Sequence, residues 1–228
     1  MTPEFSFIIP VWNEESVILR TIEHILSLQS AAGAEIIVVD GDPAGKTMEI
    51  ARRASVKTVI SERGRGSQMN HGAALAAGNI LIFLHADTRL PPYALGLIDT
   101  VMRDESCTAG AFDLAIDSER PVFRLIEKAA SLRSRLTRVP YGDQAVFMRK
   151  DVFNELGGFR NIPIMEDVEI MRRIKRRGGK ICIIDKAVRT SSRRWDREGI
   201  VYTTLRNWLL ITLYLLGVKP EKLVKFYR

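Results

Sequence analysis

Hydrophobic residues in the first half of the chain fall into short continuous runs, and amphipathic stretches separate them. Residues 5–11 (FSFIIPV) form the first run, and helix-like sequence follows over 14–28. Residues 35–40 (EIIVVD) form a second, rich in β-branched side chains, with a weaker third at 56–60 and a fourth at 80–84 (ILIFL). Helical stretches over 47–54, 68–77 and 95–103 lie between and after them. Strands in an antiparallel sheet with one wet face alternate apolar and polar residues. Runs that are apolar at nearly every position predict strands covered on both faces, hence a mostly parallel sheet between two helical layers.

Beyond residue 109 the rhythm changes. A strand-like AGAFDLAI precedes a basic helical stretch over 121–138, and a short strand is expected at 145–148. A helix over 166–177 ends at Gly178-Gly179, a strand over 180–184 follows, and final helices begin near Glu198 and Pro220. The expected fold is one α/β domain spanning 1–228, with no repeat and no linker. Within it, 1–108 forms a Rossmann-like nucleotide half, 109–196 an acceptor and catalytic half, and 197–228 a helical basic tail.

Composition narrows the class without naming a function. A chain of 228 residues, 46% hydrophobic and 27% charged, buries a substantial core and is neither disordered nor fibrous. Its two cysteines, Cys107 and Cys182, read as reduced core thiols, which excludes a disulfide framework or a thiolate zinc site. The first residues show no basic-then-apolar leader, and the longest apolar run, 208–218, is shorter than the ~20 residues of a spanning helix. A cytoplasmic protein is expected. The net charge is +7, and residues 189–228 alone carry nine Arg or Lys against three Asp or Glu. With Trp208, Tyr214, Phe226 and Tyr227 among them, this tail reads either as a contact with the inner face of an anionic membrane or as a solvated basic face. No nucleic-acid partner is expected.

In open parallel sheets, ligands bind beyond the carboxyl ends of the strands. Three of the four expected strands deliver acidic groups to that edge: the first ends in Pro10-Val11-Trp12-Asn13-Glu14, the second in Asp40-Gly41-Asp42, the fourth in His85-Ala86-Asp87. Singly, Asn13 or Asp87 reads as a helix cap and Asp40 as the start of a turn. Together they point to a site.

The ordered set of segments resembles the family-2 glycosyltransferases of the GT-A fold along nearly the whole chain. SFIIPVWNEE is similar to their opening nucleotide-binding strand, EIIVVDG to the second strand, GRGSQMNHGAALAAG to the loop and helix beside the nucleotide, and LIFLHADTRLPP to the metal-binding acidic motif. PYGDQAVFMRKDVFNELGGF and IPIMEDVEIMRRIKRRG resemble the acceptor loop and the helix bearing the catalytic acids. HADT, YGDQ, MEDVE and SRRWDREG together resemble a small bacterial subgroup.

The resemblance implies an inverting glycosyltransferase that takes a nucleoside-diphosphate sugar, UDP-linked by preference, and passes the sugar to an unidentified acceptor hydroxyl. It places Pro10, Trp12, Asn13, Glu14, Asp40, Arg65, Gln68, Asn70, Ala86 and Asp87 at the nucleotide, with Arg63 a further cation for the diphosphate. Asp87 is the implied ligand of Mg²⁺ or Mn²⁺, a hard cation that neutralises a departing diphosphate. Asp167, with Glu166 before it, is the implied catalytic base, at a helix start that favours negative charge. Asp143, Gln144, Arg193, Arg194 and Trp195 fall on the acceptor or diphosphate side.

Two departures from the family pattern bear on this reading. The turn after the second strand lacks the usual Ser and Asp. A single carboxylate, Asp87, stands where relatives carry Asp-x-Asp, and His85 is either a ligand or a hydrogen-bonding neighbour. The alternatives are a nucleotide-sugar-binding or membrane-surface protein with weak turnover, and a nucleotidyltransferase.

Overall fold

The computed structural model describes residues 3–227; Met1, Thr2 and Arg228, which close the expected domain range, lie outside the described residues. The four apolar runs form β1 (Phe5–Val11), β2 (Ala34–Asp40), β3 (Lys57–Ile60) and β4 (Ile80–Phe83). They pair in parallel, β1 between β2 and β4, with β3 outside β2. The full sheet has eight strands in the order β3-β2-β1-β4-β7-β6-β8-β5. Its other half is built from β5 (Thr88–Arg89), β6 (Cys107–Asp117), β7 (Val146–Arg149) and β8 (Lys180–Ser191).

The runs are apolar throughout because each strand feeds two cores. Phe7, Ile9, Val38 and Ile82 face one layer with α1 (Ile18–Leu26) and α4 (Ala94–Met102). Ile8, Val39, Leu81 and Phe83 face the other, with α3 (Arg65–Leu75) and α7 (Glu166–Arg176). The period-2 pleat sorts neighbouring residues to opposite sides. Gly72 lets α3 sit close on the sheet: a Cβ there would lie 2.6 Å from Ile8 Cγ2 and 2.9 Å from Val39 Cγ2.

The remaining helices are α2 (Lys46–Ala51), α5 (Pro121–Thr137), α6 (Lys150–Glu155), α8 (Arg193–Glu198), α9 (Ile200–Leu215) and α10 (Pro220–Leu223). The sheet is mixed where it meets the second half. β7 runs antiparallel to β4 and β6, while β6 and β8 pair in parallel. β8 is twelve residues long, seven beyond the expected end at Ile184. Its second half exposes Asp185, Lys186, Ala187 and Arg189 and buries Val188 and Thr190, so no continuous apolar run marks it. That extension creates a junction. Thr88 of β5 pairs with Thr190 of β8, which carries the end of β8 to the residues that follow β4. Cys107 and Cys182 are both free thiols, and burial pushes Cys107 up to about 12.

Candidate active site

At the carboxyl edge of β4, beside the end of β8, a cavity of about 1050 Å³ opens between α5, α7 and α9. Arg65, Asp87, Asp143, Asp167, Arg194 and Trp195, six residues expected at the site, share its lining with His85.

Asp167 sits in the first turn of α7. Its Oδ1 accepts the Val168 N–H at 2.7 Å and its Oδ2 accepts the Gly142 N–H at 2.5 Å. A Cβ on Gly142 would lie 3.1 Å from His85 Nε2 and 3.3 Å from Asp167 Oδ2, so a side chain there would crowd both groups. The YGDQ turn is thereby held directly against the helix start. Next to it, Asp143 has an Oδ1 sealed from solvent with no hydrogen-bond partner. Burial, and then the neighbouring Asp167 charge, push its carboxyl up to about 6. Burial and the facing Arg65 guanidinium hold His85 down to about 4, so its imidazole is neutral at physiological pH.

The raised Asp143 carries a pH signature. A carboxyl at 3.8 when unfolded and about 6 when folded makes the native state bind more protons between those values, so stability is lost as pH rises through that window. Asp143→Asn removes this dependence. Its stability relative to the parent should rise between pH 4 and pH 7 by about 3 kcal/mol at most, for a shift of about two pKa units. Urea denaturation of both proteins across that range checks it; parallel curves would show that Asp143 is not a high-pKa group.

Glu166 behaves differently from its neighbour. Its side chain is turned inward, 3% exposed, and paired with Arg65 Nε at 2.8 Å, while its Oε2 has no partner. It does not line the cavity. Of the expected Glu166–Asp167 pair, Asp167 faces the cavity, and Glu166 is paired with Arg65, the first residue of α3.

Three amides expected at the ligand make hydrogen bonds within the protein. Gln68 donates to Val11 O and Val39 O, both at 2.8 Å, and staples the ends of β1 and β2. Asn70 gives and takes one hydrogen bond with Phe159 at 2.8 Å each. Gln144, fully buried, donates to Phe112 O and accepts from Ser134 Oγ and Tyr141 N–H. Asn70 and Gln144 thus have each polar atom matched within the protein, whereas Gln68 Oε1 forms no hydrogen bond among the described residues.

Asp40 is likewise buried at the end of β2, where its carboxylate accepts the backbone N–H groups of Asp42 at 2.9 Å and Met48 at 3.1 Å. Burial raises its pKa. Trp12, Asn13 and Glu14 follow β1, with Asn13 in the left-handed region at φ 55° and the Arg63 guanidinium 4.0 Å above the Trp12 ring. Pro10 is half-buried in β1, and Ala86 is buried beside the site, its carbonyl accepting the Thr21 hydroxyl.

Arg193 is the residue whose placement changes the picture most. It lies just past β8, and the β5–β8 pairing brings it to Asp87. One Nη2 is 3.0 Å from Asp87 Oδ2 and 2.9 Å from Glu14 Oε2, joining the ends of β1 and β4 through a single cation. Among the described residues no group of three or more His, Cys, Asp or Glu side chains is placed to hold a metal ion. The protein's own offer to a divalent cation is the Asp87 carboxylate, a hard oxygen donor of the kind Mg²⁺ and Mn²⁺ prefer. It suits an ion whose remaining ligands come from a bound diphosphate.

Three aromatic residues outside the expected site set also line the cavity: Tyr141, Trp208 and Tyr227. Tyr141, the first residue of the YGDQ motif, has the Arg133 guanidinium stacked 3.2 Å from its ring centroid. Tyr227 folds back from the C-terminal end and binds Arg194 through its hydroxyl, with the guanidinium 4.9 Å from its ring. The motif itself contained Tyr141. Tyr227 carried no local signal beyond being an aromatic residue in a basic tail.

A family model for Glycosyl transferase family 2 matches residues 6–160, more than half of the chain. The chain belongs to that family. Among curated relatives, the probable glycosyltransferase YdaM of Bacillus subtilis (strain 168) is 25% identical over 221 residues, covering 86% of this chain and 51% of its own length. The chain spans about half to two thirds of the curated relatives it matches. Among solved structures, S. aureus TarS 1-349 in complex with UDP superposes with a TM-score of 0.66 at 18% identity, over 82% of this chain and 60% of that one. The mannosyltransferase PcManGT of Pyrobaculum calidifontis, in complex with GDP-Man and Mn²⁺, gives 0.64 at 18% identity, over 84% and 57%. These likenesses establish a glycosyltransferase fold of the GT-A type for this family-2 domain, mixed α/β and largely parallel in its nucleotide half.

Proposed function

We propose that this family-2 domain is an inverting glycosyltransferase that uses a nucleoside-diphosphate sugar, UDP-linked by preference. The observation that carries the reading is the meeting of Asp87, Asp143, Asp167 and Arg194 in one cavity at the carboxyl edge of the sheet. Asp167 accepts the proton of the acceptor hydroxyl as its oxygen bonds to the anomeric carbon. The bond from that carbon to the phosphate oxygen breaks, and the nucleoside diphosphate leaves with the electron pair. A single displacement of this kind inverts the anomeric centre. The turns after β1 and β2, with Trp12, Asn13 and Asp40, are assigned to the base, and Arg63, Arg65, Arg193 and Arg194 to phosphate charge. A divalent cation held by Asp87 would neutralise the leaving diphosphate. UDP and GDP-Man are bound by the two structural neighbours, and Mn²⁺ by one, which supports the donor class and the metal without choosing the base.

Family membership removes the support for a nucleotidyltransferase. A donor-binding protein with weak turnover is the second reading, favoured by the Arg193 cation standing against Asp87. A thermal-shift screen of nucleotides and nucleotide sugars with and without Mn²⁺, followed by a radiolabelled transfer assay, separates the two. Stabilisation by one donor with subsequent transfer supports the enzyme; stabilisation without transfer to any acceptor pool supports the binder.

For the cation, Asp87→Ala should abolish the Mn²⁺-dependent increment of UDP affinity while the far-ultraviolet circular dichroism stays native. The measurement is calorimetric titration of UDP with and without Mn²⁺, together with Mn²⁺ titration followed by electron paramagnetic resonance. An increment that survives in the variant assigns the cation elsewhere.

We also assign the protein to the cytoplasmic side of a membrane, held peripherally. No helix among the described residues is long and apolar enough to cross a bilayer. Yet α9 exposes Leu205, Trp208 and Leu209, each more than half accessible, and basic residues flank it. One face of α9 does enter a small core, through Leu210 with Ile164 and Leu223, so the helix is part packed and part open. Co-sedimentation with anionic liposomes at low salt, weakened as salt rises, is the expected result. Failure to bind at low salt would return these side chains to an unexplained surface.

A further inference from the structure

The catalytic cavity does not stop at the carboxylates. From Asp167 it continues along α7 to Arg172 and Arg176, about 13 Å farther at 1.5 Å per helical residue. Along that length α5 and α9 supply the walls. Ile126, Ala129 and Ala130 from one helix and Leu210, Ile211 and Leu215 from the other form apolar or small stretches, interrupted by Arg133, Thr137, Thr204, Asn207 and Thr212. Against the apolar stretches a ligand that is polar along its whole length loses water without gaining a partner. The apolar character also continues outward. Trp208 and Leu215 line the cavity and are 54% and 53% exposed, and α5 presents Leu125 and Leu132 to solvent beside it. At the far end, neither Arg172 nor Arg176 has an acidic partner among the described residues. The mouth thus combines exposed hydrocarbon with free positive charge, complementary to the phosphate-lined surface of a bilayer.

The geometry points to an amphiphilic acceptor drawn from a lipid surface, with its hydroxyl-bearing head at Asp143 and Asp167 and its hydrocarbon chain between α5 and α9. This rests on the cavity being the transfer site. Chain length then governs affinity, because each methylene enters an apolar cleft, whereas the nucleotide end is untouched by it. A second copy of the chain covering α9 is the competing occupant of the same apolar surface.

The test uses methyl, octyl, decyl and dodecyl β-glucosides below their micellar concentrations, titrated against the tryptophan fluorescence of the whole chain. Saturable binding is expected for the longer chains, tightening by up to about fourfold per added methylene until the cleft is full, with none for the methyl glucoside. Ala130→Trp, which fills the cleft from α5, should weaken dodecyl glucoside binding at least tenfold. Leu26→Ser, at an exposed position on α1 outside the cavity lining, should leave it unchanged. UDP and GDP thermal shifts, recorded on every variant, verify folding. They also test the donor site separately, so a failed transfer reading and a failed lipid cleft give different results. Affinity independent of chain length overturns the proposal, as does chain-length dependence that persists in Ala130→Trp. Sedimentation showing a dimer whose formation excludes the alkyl glucosides also overturns it, and assigns the surface to a second copy.

Discussion

Replacing Asp167 with asparagine is expected to slow sugar transfer by about 10²–10⁴-fold while donor affinity stays nearly unchanged. That loss corresponds to about 2.7–5.4 kcal/mol of barrier. The expectation rests on position: Asp167 lines the cavity, its neighbour Glu166 does not, and the backbone holds both Asp167 oxygens in place from Gly142 and Val168. The same contacts predict a side effect. Asparagine has one oxygen for two N–H donors, so one of them will face an NH₂ group, at a cost of about 1–3 kcal/mol. Transfer rate, donor affinity and denaturation midpoint must therefore be measured together. A variant that is less stable yet binds donor and does not turn over supports the base. Near-parental transfer moves the role elsewhere, with Asp143, the neighbouring carboxylate in the cavity, and Glu166 next in line. Loss of donor binding along with turnover would place Asp167 in the nucleotide site or in the fold, and the mechanism would fall.

The nucleotide half was largely legible because its physics is local. β1 to β4 lie within one residue of the runs that announce them, since a strand buried on both faces must be apolar throughout. The second half was read less completely. The outer part of β8 is half solvated, β5 has two residues, and α6 and α8 have six each, so none carries a period long enough to see. Among site residues, carboxylates at strand ends could be found from chain position alone. The Arg193 bridge could not, because it depends on the long-range pairing of Thr88 with Thr190. Glu166 and Asp167 are adjacent in sequence but about 100° apart around the helix, so only the structure tells which one faces the cavity. Met165, in the left-handed region at φ 68°, sets that rotation at the helix entrance. Gln68, Asn70 and Gln144 illustrate a different limit: an amide that staples backbone and one that grips a ligand are the same letter.

Arg65→Ala should be strongly destabilising at pH 8, by about 1–3 kcal/mol, less than the loss of a fully buried pair because the Arg65 side chain is itself 39% exposed. Arg65 joins the starts of α3 and α7 through Glu166, whose carboxylate is 3% exposed and has no other partner for its second oxygen. Burial already raises Glu166, and Arg65 is the largest influence opposing that rise. Without the guanidinium the folded pKa climbs further, so the native state takes up a proton that the unfolded chain, near the ordinary value, does not. The charge penalty applies at a pH above the folded pKa and fades as pH falls below it. The variant should therefore recover stability relative to the parent on going from pH 8 to pH 5. Glu166→Gln in the Arg65→Ala background should restore much of the loss at pH 8, because an amide carries no charge to strand. Urea titrations of the two single variants, the double variant and the parent at both pH values form the cycle that decides it. If Arg65→Ala costs the same at pH 5 and pH 8, and Glu166→Gln gives no rescue, then the cost is lost packing of the arginine stem. The ion pair would then not be what holds α3 to α7 beside the cavity.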